Sequence, residues 1–225
     1  MEQHWENVME SLSVITVTSN PNNQPVTITG TAPDIRCVGV GTDAAVFQSI
    51  HAPKFAFKMY ATDKKDKVKI EEDVYRRLGE SPFFSKCYAS TDRILVLSFE
   101  EGVTLFDCLL QGIRIPKNVI QDVENARVYV QEKGLNPRDI HLKNILMQHG
   151  KAKILDVSEY VKEGNDFRWE HLKRAYDEYY YLIEGKTVPF WLLETIRKWY
   201  HQWNKYSTTF DEFMKYVLKH TTYKK

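Results

Sequence analysis

The segment Leu135–Tyr160, LNPRDIHLKNILMQHGKAKILDVSEY, constrains the fold more tightly than any other stretch of the chain. Two short apolar runs, Ile145–Met147 and Ala152–Leu155, flank Gln148-His-Gly-Lys151. A glycine-containing link between β-favouring runs predicts a hairpin. Antiparallel pairing about that turn brings Asn144 and the residues beside Asp156 to the same end of the ladder. Asp139 lies just ahead of them. Two oxygen-bearing side chains then converge on one point, a donor set suited to Mg²⁺, which takes a few oxygen ligands together with substrate phosphates. The order acid, amide, acid suits metal-assisted phosphoryl transfer.

A second constraint lies upstream. In Lys54–Tyr60, Phe55, Phe57 and Met59 share one face of a predicted strand, and Ala56, Lys58 and Tyr60 share the other. Lys58 therefore projects among apolar neighbours, where an unpaired ammonium is costly; it needs an acidic partner or a phosphate. The helix predicted over Lys64–Leu78 supplies the carboxylate, with Glu71 on the same stripe as Val68, Tyr75 and Leu78. Glu72 fits nearly as well, and spacing leaves that choice open. Earlier still, Ile35–Phe47 places Gly39, Val40, Gly41, Ala44 and Val46 in a G-x-G-x-x-A-x-V pattern between β-favouring runs. Without a Cβ, such a turn lets backbone N–H groups approach phosphate closely. Because strand formers rather than a helix follow Ala44, a dinucleotide-binding fingerprint does not fit.

The remaining chain frames these motifs. Residues 1–34 predict a helix, Glu2–Leu12, and a hairpin of Val14–Thr18 with Pro25–Thr29. Strands over Cys87–Ser90 and Ile94–Phe99 end at Glu100-Glu-Gly102, a boundary between a sheet-rich and a helix-rich half. Helices are expected from Thr104, over Lys117–Lys133, over Phe167–Ile183 and after Pro189. A last helix opens on the capping box Thr209-Phe-Asp-Glu212. The aromatics of these helices, Trp191, Trp199 and Trp203 among them, are expected in the core. A hydrophobic fraction of 43% in 225 residues is enough for a packed core or two small lobes. A net charge of +1 gives no reason to expect a nucleic-acid partner. Cys37, Cys87 and Cys108 lack metal spacing and read as reduced core residues of a cytosolic protein. No apolar run reaches the ~20 residues that span a bilayer, and the start has no signal pattern; the expectation is a cytoplasmic protein without a membrane partner.

Taken together, Gly39–Val46, Ala56-Phe-Lys58, Glu71, Arg138-Asp139 through Asn144, and Asp156 resemble the protein-kinase-like superfamily in order and spacing over residues 35–160. The resemblance implies an α+β, two-lobed kinase-like fold. Residues 1–34 form an extension, 35–101 a β-rich nucleotide-binding lobe with one main helix, and 102–225 a reduced helical lobe. It implies ATP and Mg²⁺ as cofactors, with Gly39, Val40, Gly41, Ala44, Val46 and Ala56 around the nucleotide and Ser98, Phe99 and Glu100 at a hinge beside the adenine. Lys58, paired with Glu71, would hold the α- and β-phosphates, Asp139 would take the acceptor hydroxyl's proton, and Asn144 and Asp156 would hold the metal. Pro137 stands where the family has histidine, and Asp156-Val-Ser158 resembles the D-V-S-Q motif of RIO-type kinases. Only 69 residues follow Asp156. The implied activity is that of a compact RIO-like serine/threonine kinase acting on an unidentified phosphoacceptor, with ATPase activity beside it. His141, two residues after Asp139, instead matches the H-x-D-x-H pattern of aminoglycoside and choline kinases, which implies a small-molecule acceptor. A nucleotide-binding pseudokinase scaffold is the third reading, weakened by the presence of Lys58, Asp139, Asn144 and Asp156 together.

Overall fold

Period-two alternation in the central strand decides how the molecule is layered. The computed structural model describes residues 5–203 and 209–221. Its largest sheet is antiparallel, in the order β3 (Ile35–Val40), β4 (Ala44–Ser49), β5 (Phe55–Tyr60), β7 (Ile94–Ser98) and β6 (Cys87–Ser90). Ala45, Phe47, Phe57, Met59 and Val96 fill one face and pack with Val8, Leu12, Ile15, Val17 and Val26 from the N-terminal segment. That segment comprises a 3-10 turn, Trp5–Val8, helix α1 (Met9–Ser13) and the paired strands β1 (Thr16–Thr18) and β2 (Thr27–Thr29). Residues 5–34 are thus the cover of the sheet's outer face, which apolar side chains could not leave open to water. The expected helix start at Glu2 lies outside the described residues.

The other face carries Ala44, Ala56, Leu95 and Leu97 into a second apolar cluster. It continues through α2 (Asp66–Leu78), α3 (Leu105–Gln111) and α4 (Lys117–Glu132) to a small sheet of β8 (Val103–Thr104), β9 (Ile145–Gln148) and β10 (Lys151–Ile154). In α2 the buried stripe is Val68, Glu71, Val74, Tyr75 and Leu78, as its 3.6-residue periodicity predicts. The expected hairpin forms, with Ile154 opposite Ile145. Its two-residue turn has positive φ at both His149 (49°) and Gly150 (73°), the twist that suits tightly linked strands. Strand β8 has only two residues and shows no period from which to read it.

The chain ends in α5 (Arg168–Tyr179), a 3-10 turn at Tyr180–Leu182, α6 (Phe190–Trp203) and α7 (Phe210–Thr221). The capping box forms as expected: Glu212 N–H donates to Thr209 Oγ1 (3.3 Å), and Thr209 N–H to Glu212 Oε2 (2.8 Å). Full burial of the α6 aromatics does not occur. No α6 residue is fully buried, and Trp191 is 66% exposed. One flank of α6, with Ile196, Trp199, Tyr200 and Trp203, packs on a small cluster built from Phe210, Phe213, Met214 and Val217 of α7, and Trp191 lies outside it. Of the cysteines, Cys108 is buried while Cys37, on edge strand β3, is exposed, so the expectation of three core cysteines fails there. No helix among the described residues is long and apolar enough to cross a membrane.

Leu12 is fully buried under the sheet. Leu12→Ala should cost about 2–5 kcal/mol in urea unfolding, within one cooperative transition. No loss of stability would show that the N-terminal cover is not part of the folded core.

Candidate active site

Register across the main sheet assembles the first half of the site. Gly39 pairs with Val46, and Val46 with Lys58, so the glycine turn and the lysine share one row and one face of the sheet. Gly41 N–H closes the turn on Ala44 O at 2.9 Å, and Gly41 O accepts Val26 N–H at 2.9 Å from the N-terminal cover. A Cβ at Gly39 would meet only Val46, at 3.6 Å. Internal packing therefore does not demand glycine at that position.

Lys58 settles the choice that spacing left open. Its ammonium donates to Glu71 Oε1 (2.9 Å) and Oε2 (2.8 Å), while Glu72 accepts from Ser90 Oγ (2.6 Å) on β6 instead. A third donation reaches Asp156 Oδ1 at 3.2 Å. Burial works against the lysine's charge, but Asp156 and Glu71 outweigh it and hold its pKa well above the ordinary lysine value. Glu71 is fully buried, and burial pushes its pKa up against the opposing pull of Lys58. One ammonium thus serves two carboxylates, and burial works against the charge of both.

Hairpin pairing supplies the second half. Leu155 N–H donates to Asn144 O at 2.9 Å, extending the ladder by one rung and setting Asn144 beside Asp156. The Asn144 amide donates through Nδ2 to Asp139 O (3.1 Å), which leaves Oδ1 without a hydrogen-bond partner among the described residues. Asp156 keeps 37% of its side chain exposed. Burial opposes its charge, but the Lys58 ammonium and the Ser158 N–H hold its carboxyl down to about 2, so it is an anion at neutral pH. An anionic oxygen and a free amide oxygen at one end of a hairpin fit a hard divalent cation that completes its shell elsewhere. Among the described residues no cluster of three or more His, Cys, Asp or Glu could hold a metal without such help.

Asp139 adopts a left-handed backbone (φ 53°), a costly state for a non-glycine residue that its surroundings must impose. They include two residues that sequence motifs did not single out. Asp166 Oδ2 accepts the Asp139 N–H (2.8 Å), and its Oδ1 accepts Arg168 N–H (3.1 Å) at the start of α5. Arg168 Nη1 donates to Asp139 Oδ1. Their signal in sequence was only Asn165-Asp166 ahead of a helix, an ordinary cap. His141 Nδ1 accepts Lys143 N–H (3.3 Å), and its Nε2 lies 3.8 Å from Asp139 Oδ1. Burial, with Arg168 adding to it, drives the His141 pKa down to about 4, so the ring is neutral near pH 7. Burial pushes the Asp139 carboxyl up to about 6; Arg168 opposes this, and Asp156 and Asp166 reinforce it.

Of the remaining expected residues, Ala44 and Ala56 are buried in the large apolar cluster, against which Val46 and Phe99 also pack. The Ser98 and Phe99 N–H groups are already donated, to Lys86 O and Lys54 O at 2.8 Å each. Any ligand hydrogen bond from a main-chain N–H of this connection therefore begins at Glu100, whose carboxylate is anchored by Lys153 (3.2 Å) and Ser98 (2.5 Å). Arg138 donates to Glu163 O, which occupies one arm of its guanidinium.

No protein-family model matches the chain. Curated proteins similar to it include "Putative serine/threonine-protein kinase YrzF" of Bacillus subtilis (strain 168), 32% identical over 163 residues, which span 71% of this chain and 76% of that protein. "Atypical protein kinase C" of Drosophila melanogaster is 28% identical over 148 residues, spanning 58% of this chain and 24% of that much longer one.

The raised Asp139 pKa carries a sign for stability. Between its ordinary value of 3.8 and about 6 the folded state binds the proton more tightly than the unfolded chain. Stability should therefore fall as pH rises through that window. Asp139→Asn should flatten this stretch of the melting-temperature profile and gain on wild type toward pH 7. Parallel profiles for the two proteins would contradict the assignment.

Proposed function

This chain belongs to the protein-kinase-like family, and from that premise we propose that it is an ATP- and Mg²⁺-dependent phosphotransferase, most specifically a compact RIO-like serine/threonine protein kinase. The observation that carries the reading is the Lys58 ammonium shared between Glu71 and Asp156, on the same sheet row as Gly39 and facing the Asn144–Asp156 hairpin end. In this reading residues 35–101 form a nucleotide-binding lobe and 102–225 a catalytic lobe, with 1–34 an extension that braces the first. Gly39, Val40 and Gly41 form the turn beside the phosphates, with both backbone groups of Gly41 already paired inside the protein so that the turn keeps its shape. Ala44, Val46 and Ala56 give the purine an apolar ceiling beside Ser98, Phe99 and Glu100.

Each polar residue then has one task. Lys58 holds the α- and β-phosphates and Glu71 holds Lys58. Asn144 Oδ1 and the Asp156 carboxylate would hold Mg²⁺, which when bound neutralises charge on the phosphates. Asp139 orients the acceptor hydroxyl and takes its proton, and Arg168 and Asp166 hold Asp139 for that task. Little covalent chemistry is asked of the protein; placement and electrostatics supply the rate. The path from Asp156 to α5 is short, and Arg138 is tied to Glu163 O, so this arrangement has little room for a long regulatory segment between them. A small-molecule acceptor is the second reading, favoured by the placement of His141 Nε2 3.8 Å from Asp139 Oδ1.

Transfer of the labelled γ-phosphoryl of ATP to protein hydroxyls, against small alcohols and aminoglycosides, separates the two readings. Asp139→Asn should lose roughly 10²–10⁴ in rate while still binding ATP. Because the base must be ionised, wild-type transfer should decline as pH drops below about 6. Full activity of Asp139→Asn would remove Asp139 from the mechanism.

A further inference from the structure

We propose that Tyr60 is a positioning residue that latches Glu71, and with it helix α2, in the geometry that Lys58 requires. Its effect on rate rests on the phosphotransfer reading; the latch itself does not. Tyr60 follows Lys58 by two residues, so the alternation of β5 aims both side chains at α2. Its ring is 1% exposed, and its hydroxyl donates to Glu71 Oε2. The Lys58 Nζ lies 5.4 Å from the centre of the same ring, within cation–π range.

Donor counting gives the latch its purpose. A lysine ammonium has three N–H donors and no more. Here all three contacts are spoken for, two to Glu71 and one to Asp156. A nucleotide phosphate arriving at Lys58 must draw on those donors, and a buried carboxylate that loses them is left with its desolvation cost uncompensated. The Tyr60 hydroxyl has no such competing duty. Burial raises its pKa, so it remains protonated and keeps donating. Glu71 can then stay anionic and aligned while Lys58 turns part of its capacity to phosphate. A second tyrosine fastens the same stripe one turn further along: Tyr75 Oη donates at 3.4 Å to the carbonyl of Leu155, the residue before Asp156. Helix α2 is thereby tied by hydroxyls both to the strand that carries Lys58 and to the segment that carries Asp156.

The test uses the full chain with Tyr60→Phe, Glu71→Met and the double substitution. Phenylalanine keeps the ring and its packing and removes only the hydroxyl; methionine keeps the volume of the glutamate and removes the acceptor. Without nucleotide, Tyr60→Phe should speed amide hydrogen exchange over Val68–Tyr75 by about tenfold, and the same substitution in Glu71→Met should change it by less than about twofold. The kcat/KM for ATP should follow the same pattern, about tenfold lower in the first background and nearly unchanged in the second. Wild-type exchange and turnover in Tyr60→Phe would overturn the proposal. So would an equal loss in both backgrounds, which would make Tyr60 a packing residue unconnected to Glu71. If the wild-type protein turns over no ATP, the phosphotransfer reading falls, and the exchange comparison still decides the latch.

Discussion

A single buried ammonium holds the site together. Lys58 lies between a fully buried carboxylate, Glu71, and a half-exposed one, Asp156, and each comes from a different part of the fold. Removing any partner would leave an uncompensated charge, which costs several kcal/mol in a protein interior. The three elements concerned are therefore fixed relative to one another: strand β5, helix α2 and the end of the β9–β10 hairpin. Gly39 and Val46 share the Lys58 row, so the glycine turn is fixed with them.

Around that centre, support is supplied from close by. The N-terminal cover fills the outer face of the main sheet and hydrogen-bonds to Gly41, which makes it part of the glycine turn's framework. Asp166 and Arg168 start the helix just beyond the hairpin and reach back to hold Asp139 in its left-handed conformation. These supports return from beyond the whole β9–β10 hairpin, 27 and 29 residues after Asp139.

What could be read in the sequence was whatever depends on local periodicity. The alternation of β5 identified Lys58 as an inward-facing cation. The helical stripe of α2 put Glu71 among its candidate partners, and the His149-Gly150 link gave the hairpin that joins Asn144 to Asp156. What remained hidden needed the third dimension. Glu71 and Glu72 differ by one position on a helix, and only the placement of Ser90 shows that Glu72 is otherwise engaged. Arg168 and Asp166 carry no motif, since a capping residue and an exposed-looking arginine are common at helix starts. Strand β8 is too short to show a period. Helix α6 is rich in aromatics yet covered on one flank only, so composition overstated its burial, as it did for Cys37 on an edge strand.

The function proposed for this fold requires that the Lys58 row and the hairpin end form one site for a metal-bound nucleotide. Calorimetric titration of ATP into the wild-type chain and Asp156→Ala, each with and without Mg²⁺, tests this most directly. The predicted result is saturable binding to wild type that strengthens at least about tenfold with Mg²⁺, and loss of that strengthening in Asp156→Ala. Absence of ATP binding to the wild-type chain, or an equal Mg²⁺ effect in both proteins, would contradict it.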